Sequence, residues 1–289
     1  MKQQTRRETI FGAVITIILI LCGIMALIPL LSVLALSFSS KVAVNTNAVT
    51  LWPVGFTFAS WKAILARSDM WRATLVTLMT TAVGTGMALV ITSLLAYPLS
   101  KKEFGLQKAI MVMVIITMIF KAPTVPYFLT LRSIGLYNSV WAMILPHILT
   151  AYNMIVMRTF FLGFPREVEE SATIDGCSPF RTLAQIVLPS SKAVIAVIGL
   201  FYAVTIWNQY QHPLYFIQDT SLYPLQMKVR QFINESSELQ TIAARQSVNY
   251  TERSLKAVVV VFAILPIILV YPWLQKYFEK GAMLGSVKG

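Results

Sequence analysis

Charge is what this sequence has least of. Of its 289 residues 12% are charged, about half of the roughly 25% usual in soluble domains, while 56% are hydrophobic and the mean hydropathy is +0.68. A chain so composed is a membrane protein. Acids are scarcest of all: twelve Asp and Glu stand against twenty-four Lys and Arg, a net +12. That balance suits anionic lipid head groups or an acidic ligand. The basic residues are scattered between apolar stretches and form no single stripe, which argues against nucleic acid. Cys22 and Cys177 stand far apart and provide neither a disulfide framework nor metal spacing. No G-x-x-x-x-G-K-[ST] loop, H-E-x-x-H, C-x-x-C or G-x-S-x-G occurs, so the parts for nucleotide hydrolysis, zinc chemistry or an elbow nucleophile are missing. Two histidines exist, His147 and His212, each next to a proline. With no carboxylate or second histidine three or four residues away, His147 reads as a bundle-facing polar residue and not as a ligand.

Apolar length, by contrast, is abundant. Crossing the roughly 30 Å hydrocarbon layer takes about 20 apolar residues, and six runs of that order lie at about 11–38, 72–97, 109–130, 139–162, 193–217 and 255–278. The first follows Lys2, Arg6 and Arg7 as a signal peptide would. Its apolar run of about 25 residues exceeds the 7 to 15 of such a segment, and no small-residue cleavage site is evident, so it reads as a retained span. The expected fold is all-α, a polytopic membrane protein of six transmembrane helices. Six spans put both termini on one side. The amino-terminal basic residues, Lys101, Lys102 and Lys108 after the second run, and Lys276, Lys280 and Lys288 after the sixth mark that side as cytoplasmic. Pro29, Pro123, Pro126, Pro146 and Pro266 fall inside runs. Either the bundle bends or opens there, or these are ordinary membrane prolines.

The segment 164–189 is unlike a passive linker. Pro165 suits a first helical position, and Glu167, Glu169 and Glu170 follow where the helix dipole favours negative charge. Gly176 suits the left-handed position that closes a helix. Ser178 and Pro179 then read as the cap and first residue of a second helix, ended by Pro189. Val168 with Ala172, and Phe180 with Leu183 and Val187, are spaced for one apolar face on each. A helix, a tight turn and a second helix at the membrane surface are expected.

At this loop the sequence resembles the permease subunits of bacterial ABC importers. Their cytoplasmic motif is E-A-A, three residues, G, nine residues, I, any residue, L-P. Here Glu170, Ser171, Ala172, Gly176, Ile186, Leu188 and Pro189 stand at that spacing, with Ser171 replacing alanine as the one departure. Asp175 is similar to the carbohydrate branch. The tail Gly285, Ser286, Val287, Lys288 and Gly289 resembles the ending of maltose-type second permeases, and Trp207 with Asn208 resembles a pair in sugar permeases. The stretches 153–161 and 215–226 are similar to the oligosaccharide-uptake subgroup.

The resemblance implies a permease domain over 11–278, with a coupling loop at 163–189, a cytoplasmic segment 1–10 and a cytoplasmic tail 279–289. It also implies a bacterial inner-membrane location, a second homologous permease, two ATP-binding subunits and an extracytoplasmic solute-binding protein. ATP and magnesium would be held by those partner subunits, leaving this chain no cofactor, metal or catalytic role. Residues 170–176 would form the coupling helix, and the tail would reach the ATPase interface.

The alternative, an ion-coupled secondary transporter, should place carboxylates within its spans. All twelve acids lie in loops or at span ends. For the sugar path the candidates are Lys121, a cation about halfway along its run, with Tyr127, Tyr152, Asn153, Trp207 and Asn208. The expected cargo is an oligosaccharide, acidic if Lys121 meets a carboxylate. Snorkelling or a backbone partner remains the other reading of Lys121.

Overall fold

The computed structural model describes residues 6–234 and 249–286, in which every regular element is helical. The chain divides into two compact units, Met1–Met70 with Val229–Leu265, and Trp71–Lys228 with Pro266–Gly289.

In the first unit, α1 (Arg6–Ser37) runs 32 residues with Pro29 inside it. Its apolar window is not buried anywhere by the chain's own residues, as expected of a helix covered by lipid or by another subunit. After α2 (Lys41–Asn45) and α3 (Ala59–Leu65), a polar knot gathers. The Ser60 hydroxyl donates to Ser254 Oγ at 2.9 Å, and Trp61 Nε1–H donates to Ser37 Oγ at 3.3 Å. Phe38, Phe56, Phe58 and Trp61 stack around it.

The second unit carries most of α4 (Ser68–Leu99), then α5 (Gln107–Ile119), α6 (Thr124–Ser133), α7 (Trp141–Ile144) and α8 (Ala151–Leu162). Next come α9 (Arg166–Ile174), α10 (Pro179–Ser190), α11 (Lys192–Trp207), α12 (Gln211–Phe216) and the start of α13 (Leu225–Asn234). The last helix, α14 (Glu252–Ser286), crosses from one unit to the other. The core joins α4, α8, α10 and α11 through Ala88, Leu99, Met154, Phe161, Val187 and Ile198. At Gly84 α4 lies close to α11, where a β-carbon would stand 2.8 Å from Ile206 Cδ1 and that methyl would have to move. Tyr202, fully buried, shares a hydroxyl contact of 2.7 Å with Thr92 and accepts the Thr150 N–H at 3.2 Å. The first N–H groups of a helix have no partner within it, and here α11 supplies one at the start of α8.

Six unbroken spans are not what the helices form. Among the described residues three are long and apolar enough to cross a membrane: Phe11–Ser37, Ser68–Leu99 and Glu252–Val270. Pro179–Ser190 with Lys192–Trp207 makes a fourth if a pair bent by 87° counts as one. The runs at 109–130 and 139–162 are each split. The 13 residues of α5 reach only about 20 Å, and the chain is non-helical over 120–123 before α6. Pro123 explains this break, because it drives the preceding residue out of the helical region. A 3₁₀ turn, Leu145–His147, holds Pro146, and the chain is non-helical over 148–150, with Thr150 extended, before α8. Pro29 and Pro266 sit within continuous helices. Hydropathy saw the runs but not the breaks.

Outside the spans, Asn138 at φ 53° ties two loops. Its Oδ1 accepts the N–H groups of Gln218 and Asp219 at 3.0 and 2.9 Å. The Ser221 N–H holds the Asp219 carboxyl below the usual carboxylate range.

Candidate functional site

The loop between α8 and α11 takes the expected helix–turn–helix form. Pro165 stands one place earlier than expected, at the N-cap, so that α9 begins at Arg166, and its first turn holds Glu167 and Glu169. The helix closes as the sequence requires: Gly176 has φ +78°, its N–H donates to Thr173 O at 3.0 Å, and the Cys177 N–H donates to Ala172 O at 2.9 Å. This pair of bonds is a Schellman closure, which needs a left-handed residue. Asp175 is the C-cap, and nothing lies within 4 Å of a β-carbon built on Gly176. Ser171 donates to Glu167 O at 2.7 Å, so the hydroxyl that departs from the motif is satisfied on its own helix. Ser178 Oγ accepts the Arg181 N–H at 3.4 Å and starts α10 with Pro179 at its first position.

Pro189 does not end α10. The helix runs to Ser190 and turns by 87° at Ser191 into α11. It absorbs the proline by widening: Leu183–Val187 is a π turn, with the Leu188 N–H reaching Leu183 O. A wide turn ahead of a proline relieves the clash with the carbonyl four residues back. Ile186 and Leu188 are half-buried here, while Pro189 and Glu170 are exposed.

The apolar faces also differ from the sequence reading. Ala172, Leu183 and Val187 are buried, but their expected companions Val168 and Phe180 are exposed. Ile174 is 86% exposed and Phe180 67%. Three large apolar side chains on one surface hairpin call for a cover from outside the chain. A cleft of about 360 Å³ lies beside α9, lined by Tyr97, Lys101, Arg166, Glu169 and Glu170 among others. Lys101 pairs with Glu169 there.

The sugar-path candidates are spread along the breaks and no single site holds them. Lys121 is exposed within 120–123 and has no hydrogen bond or ion pair among the described residues. Tyr152 is exposed and Asn153 buried at the start of α8. Trp207 is buried at the end of α11 and its Nε1 has no partner among the described residues. Asn208 caps that helix and accepts from Gln226 Nε2 at 3.2 Å. Tyr127 is half-buried, its hydroxyl 2.9 Å from His212 Nε2. The rings of His212 and His147 lie 4.6 Å apart, edge to face. Spacing along the sequence could not reveal that pair, since the second imidazole comes from α12. In the tail, Gly285 and Ser286 end α14, while Val287, Lys288 and Gly289 lie outside the described residues. No group of three His, Cys, Asp or Glu suited to a metal occurs among the described residues.

Residues 55–283 match the family described as the binding-protein-dependent transport system inner membrane component. The chain belongs to that family. Among its relatives is the polygalacturonan/rhamnogalacturonan transport system permease protein YtcP of Bacillus subtilis, 36% identical over 285 residues, covering 98% of this chain and 100% of YtcP. The protein LplC of Bacillus subtilis is 39% identical over 268 residues, 92% of this chain and 91% of LplC. A chain in the crystal structure of a bacterial ABC transporter involved in import of the acidic polysaccharide alginate superposes with a TM-score of 0.90 at 28% identity, covering 96% of this chain and 100% of that one. As a member of that family the chain is an inner membrane component of a transport system.

Proposed function

We propose that this chain is the permease that passes an acidic oligosaccharide, a short uronide, from a solute-binding protein across the inner membrane. It is the permease of an oligosaccharide ABC importer. The finer reading, that the cargo carries carboxylates, is supported by the polygalacturonan and alginate systems of its relatives. Lys121, an exposed cation with no ion pair or hydrogen bond among the described residues, stands at an interruption of an apolar run and supports it too. Broken helices are tolerated at membrane depth where they are buried in protein or line a water-filled cavity. Lys121 and Asn208 lie in the breaks at 120–123 and 208–210, Trp207 is next to the latter, and Tyr152 and Asn153 lie two and three residues beyond the break at 148–150.

The observation that carries the coupling role is the α9–Gly176–α10 hairpin, with Ile174 and Phe180 left bare. In this reading two ATP-binding subunits, which hold ATP and magnesium, cover the hairpin, and α9 is the coupling helix that takes up their closure. A second homologous permease completes the pore, lipid or that permease covers α1, and both termini face the cytoplasm. The cycle is a shift between inward- and outward-open populations, with no bond chemistry in this chain. The test is uptake by the importer, purified with its partner subunits and reconstituted in vesicles, of an oligouronate against a neutral oligosaccharide of equal length. Preference for the oligouronate is expected; preference for the neutral sugar would reject the acidic cargo.

A further inference from the structure

Among the described residues, the side chains of α9 make one ion pair to another element. Lys101, two residues beyond the end of α4, pairs with Glu169 in the opening turn of α9. Its ammonium also lies 4.6 Å from the centre of the Tyr97 ring, within the range of a cation–π contact. The end of α4 that carries Lys101 is held firmly. The Leu99 carbonyl accepts from Arg158 Nε of α8 at 2.6 Å and from Gln107 Nε2 of α5 at 2.8 Å, and Ser100 Oγ donates to Tyr97 O at 2.6 Å. Behind it lie the 32 residues of α4, packed through Ala88, Ala96 and Leu99 into the core shared with α8 and α11.

We propose that Lys101 and Glu169 are positioning residues whose ion pair passes the displacement of α9 to α4. This rests on the coupling-helix reading above. The pair is largely withdrawn from water, its side chains only 28% and 16% exposed. As a link it has direction, because one end sits on the short helix that bears the bare apolar residues and the other on a long, anchored helix. Among the described residues it is the one ion pair that ties α9 to another element, beside the packing of its buried Ala172 and its chain connections to α8 and α10.

The two ends are not equivalent. Glu169 Oε1 is buried with no partner among the described residues, so loss of Lys101 leaves a largely buried carboxylate without its counter-charge, which drives α9 outward. Loss of the Glu169 charge leaves a lysine that can extend into water. The measurement is sugar transported per ATP hydrolysed by the reconstituted importer. Lys101→Met should lower this ratio roughly fivefold or more, the scale of a modest coupling energy, and Glu169→Gln should lower it less. Lys101→Arg, which keeps the charge and the reach, should stay near the wild type, and exchange of the charges in Lys101→Glu with Glu169→Lys should recover most of the loss. A contact that served stability alone would lower complex abundance and leave the ratio unmoved. An unchanged ratio in Lys101→Met, an exchange variant no better than the single changes, or equal loss in Lys101→Arg would each overturn the proposal. Failure of the coupling-helix reading is distinguished by Gly176→Asp: if that variant is fully active the reading itself falls, whereas if it uncouples and Lys101→Met does not, only the tie is wrong.

Discussion

Gly176 offers the sharpest test of the coupling loop, because the structure separates backbone strain from crowding. With φ at +78° the residue is in the left-handed region, yet a β-carbon there would meet nothing within 4 Å. Any substitution is therefore opposed by backbone conformation alone, about 1 kcal/mol for alanine and more for a β-branched residue, and asparagine suffers least. One kcal/mol shifts the balance between the closed turn and a displaced α9 about fivefold. That is too little to unfold a bundle held by the core of α4, α8 and α11, but enough to weaken a docked hairpin. Aspartate matches asparagine in shape and adds a charge beside Asp175, so the difference between the two isolates electrostatics. In the assembled importer, stimulation of ATP hydrolysis by loaded binding protein should fall in the order Gly, Asn, Ala, Val. Gly176→Asp should lie well below Gly176→Asn, and all variants should reach the membrane at wild-type abundance. Full stimulation in Gly176→Val and Gly176→Asp would refute the assignment of α9 as the coupling helix. Loss of the protein from the membrane would make the turn a folding element instead.

Three further outcomes are expected. Tyr202→Phe removes a fully buried hydroxyl that serves both Thr92 and the Thr150 N–H. It should cost about 1–3 kcal/mol, read as a lower thermal midpoint of the purified complex, and an unchanged midpoint would show that water replaces it. Lys121→Met should reduce oligouronate uptake far more than uptake of any neutral sugar the importer accepts, whereas equal loss would give Lys121 a structural role. Removal of Gly285, Ser286, Val287, Lys288 and Gly289 should lower transport-coupled ATP hydrolysis in a complex that still assembles, and wild-type turnover would count against a tail at the ATPase interface.

What could be read from the sequence was whatever a local rule decides. Acids in the first turn of α9, glycine at its end and Ser178-Pro179 at the start of α10 are each fixed by backbone chemistry within a few residues, and all three stand where spacing put them. The π turn before Pro189 was not legible, since a proline can stop a helix or be absorbed by a wider turn, and the choice depends on packing of Leu183 and Val187. The Lys101–Glu169 and His147–His212 contacts join residues more than sixty positions apart, beyond the reach of any helical period. Periodicity likewise marked Phe180 and Val168 as apolar-face residues but could not say what covers that face.

The same limit explains why six runs did not become six unbroken helices. Hydropathy measures whether a segment can lie in lipid, not whether its backbone stays paired, and 109–130 is apolar whether or not Pro123 interrupts it. Once it does, the freed N–H and carbonyl groups need partners that hydrocarbon cannot supply. A break in such a run therefore demands water, neighbouring polar groups or a polar cargo. Lys121 and Asn208 stand in such breaks, and Tyr152, Asn153 and Trp207 within three residues of one.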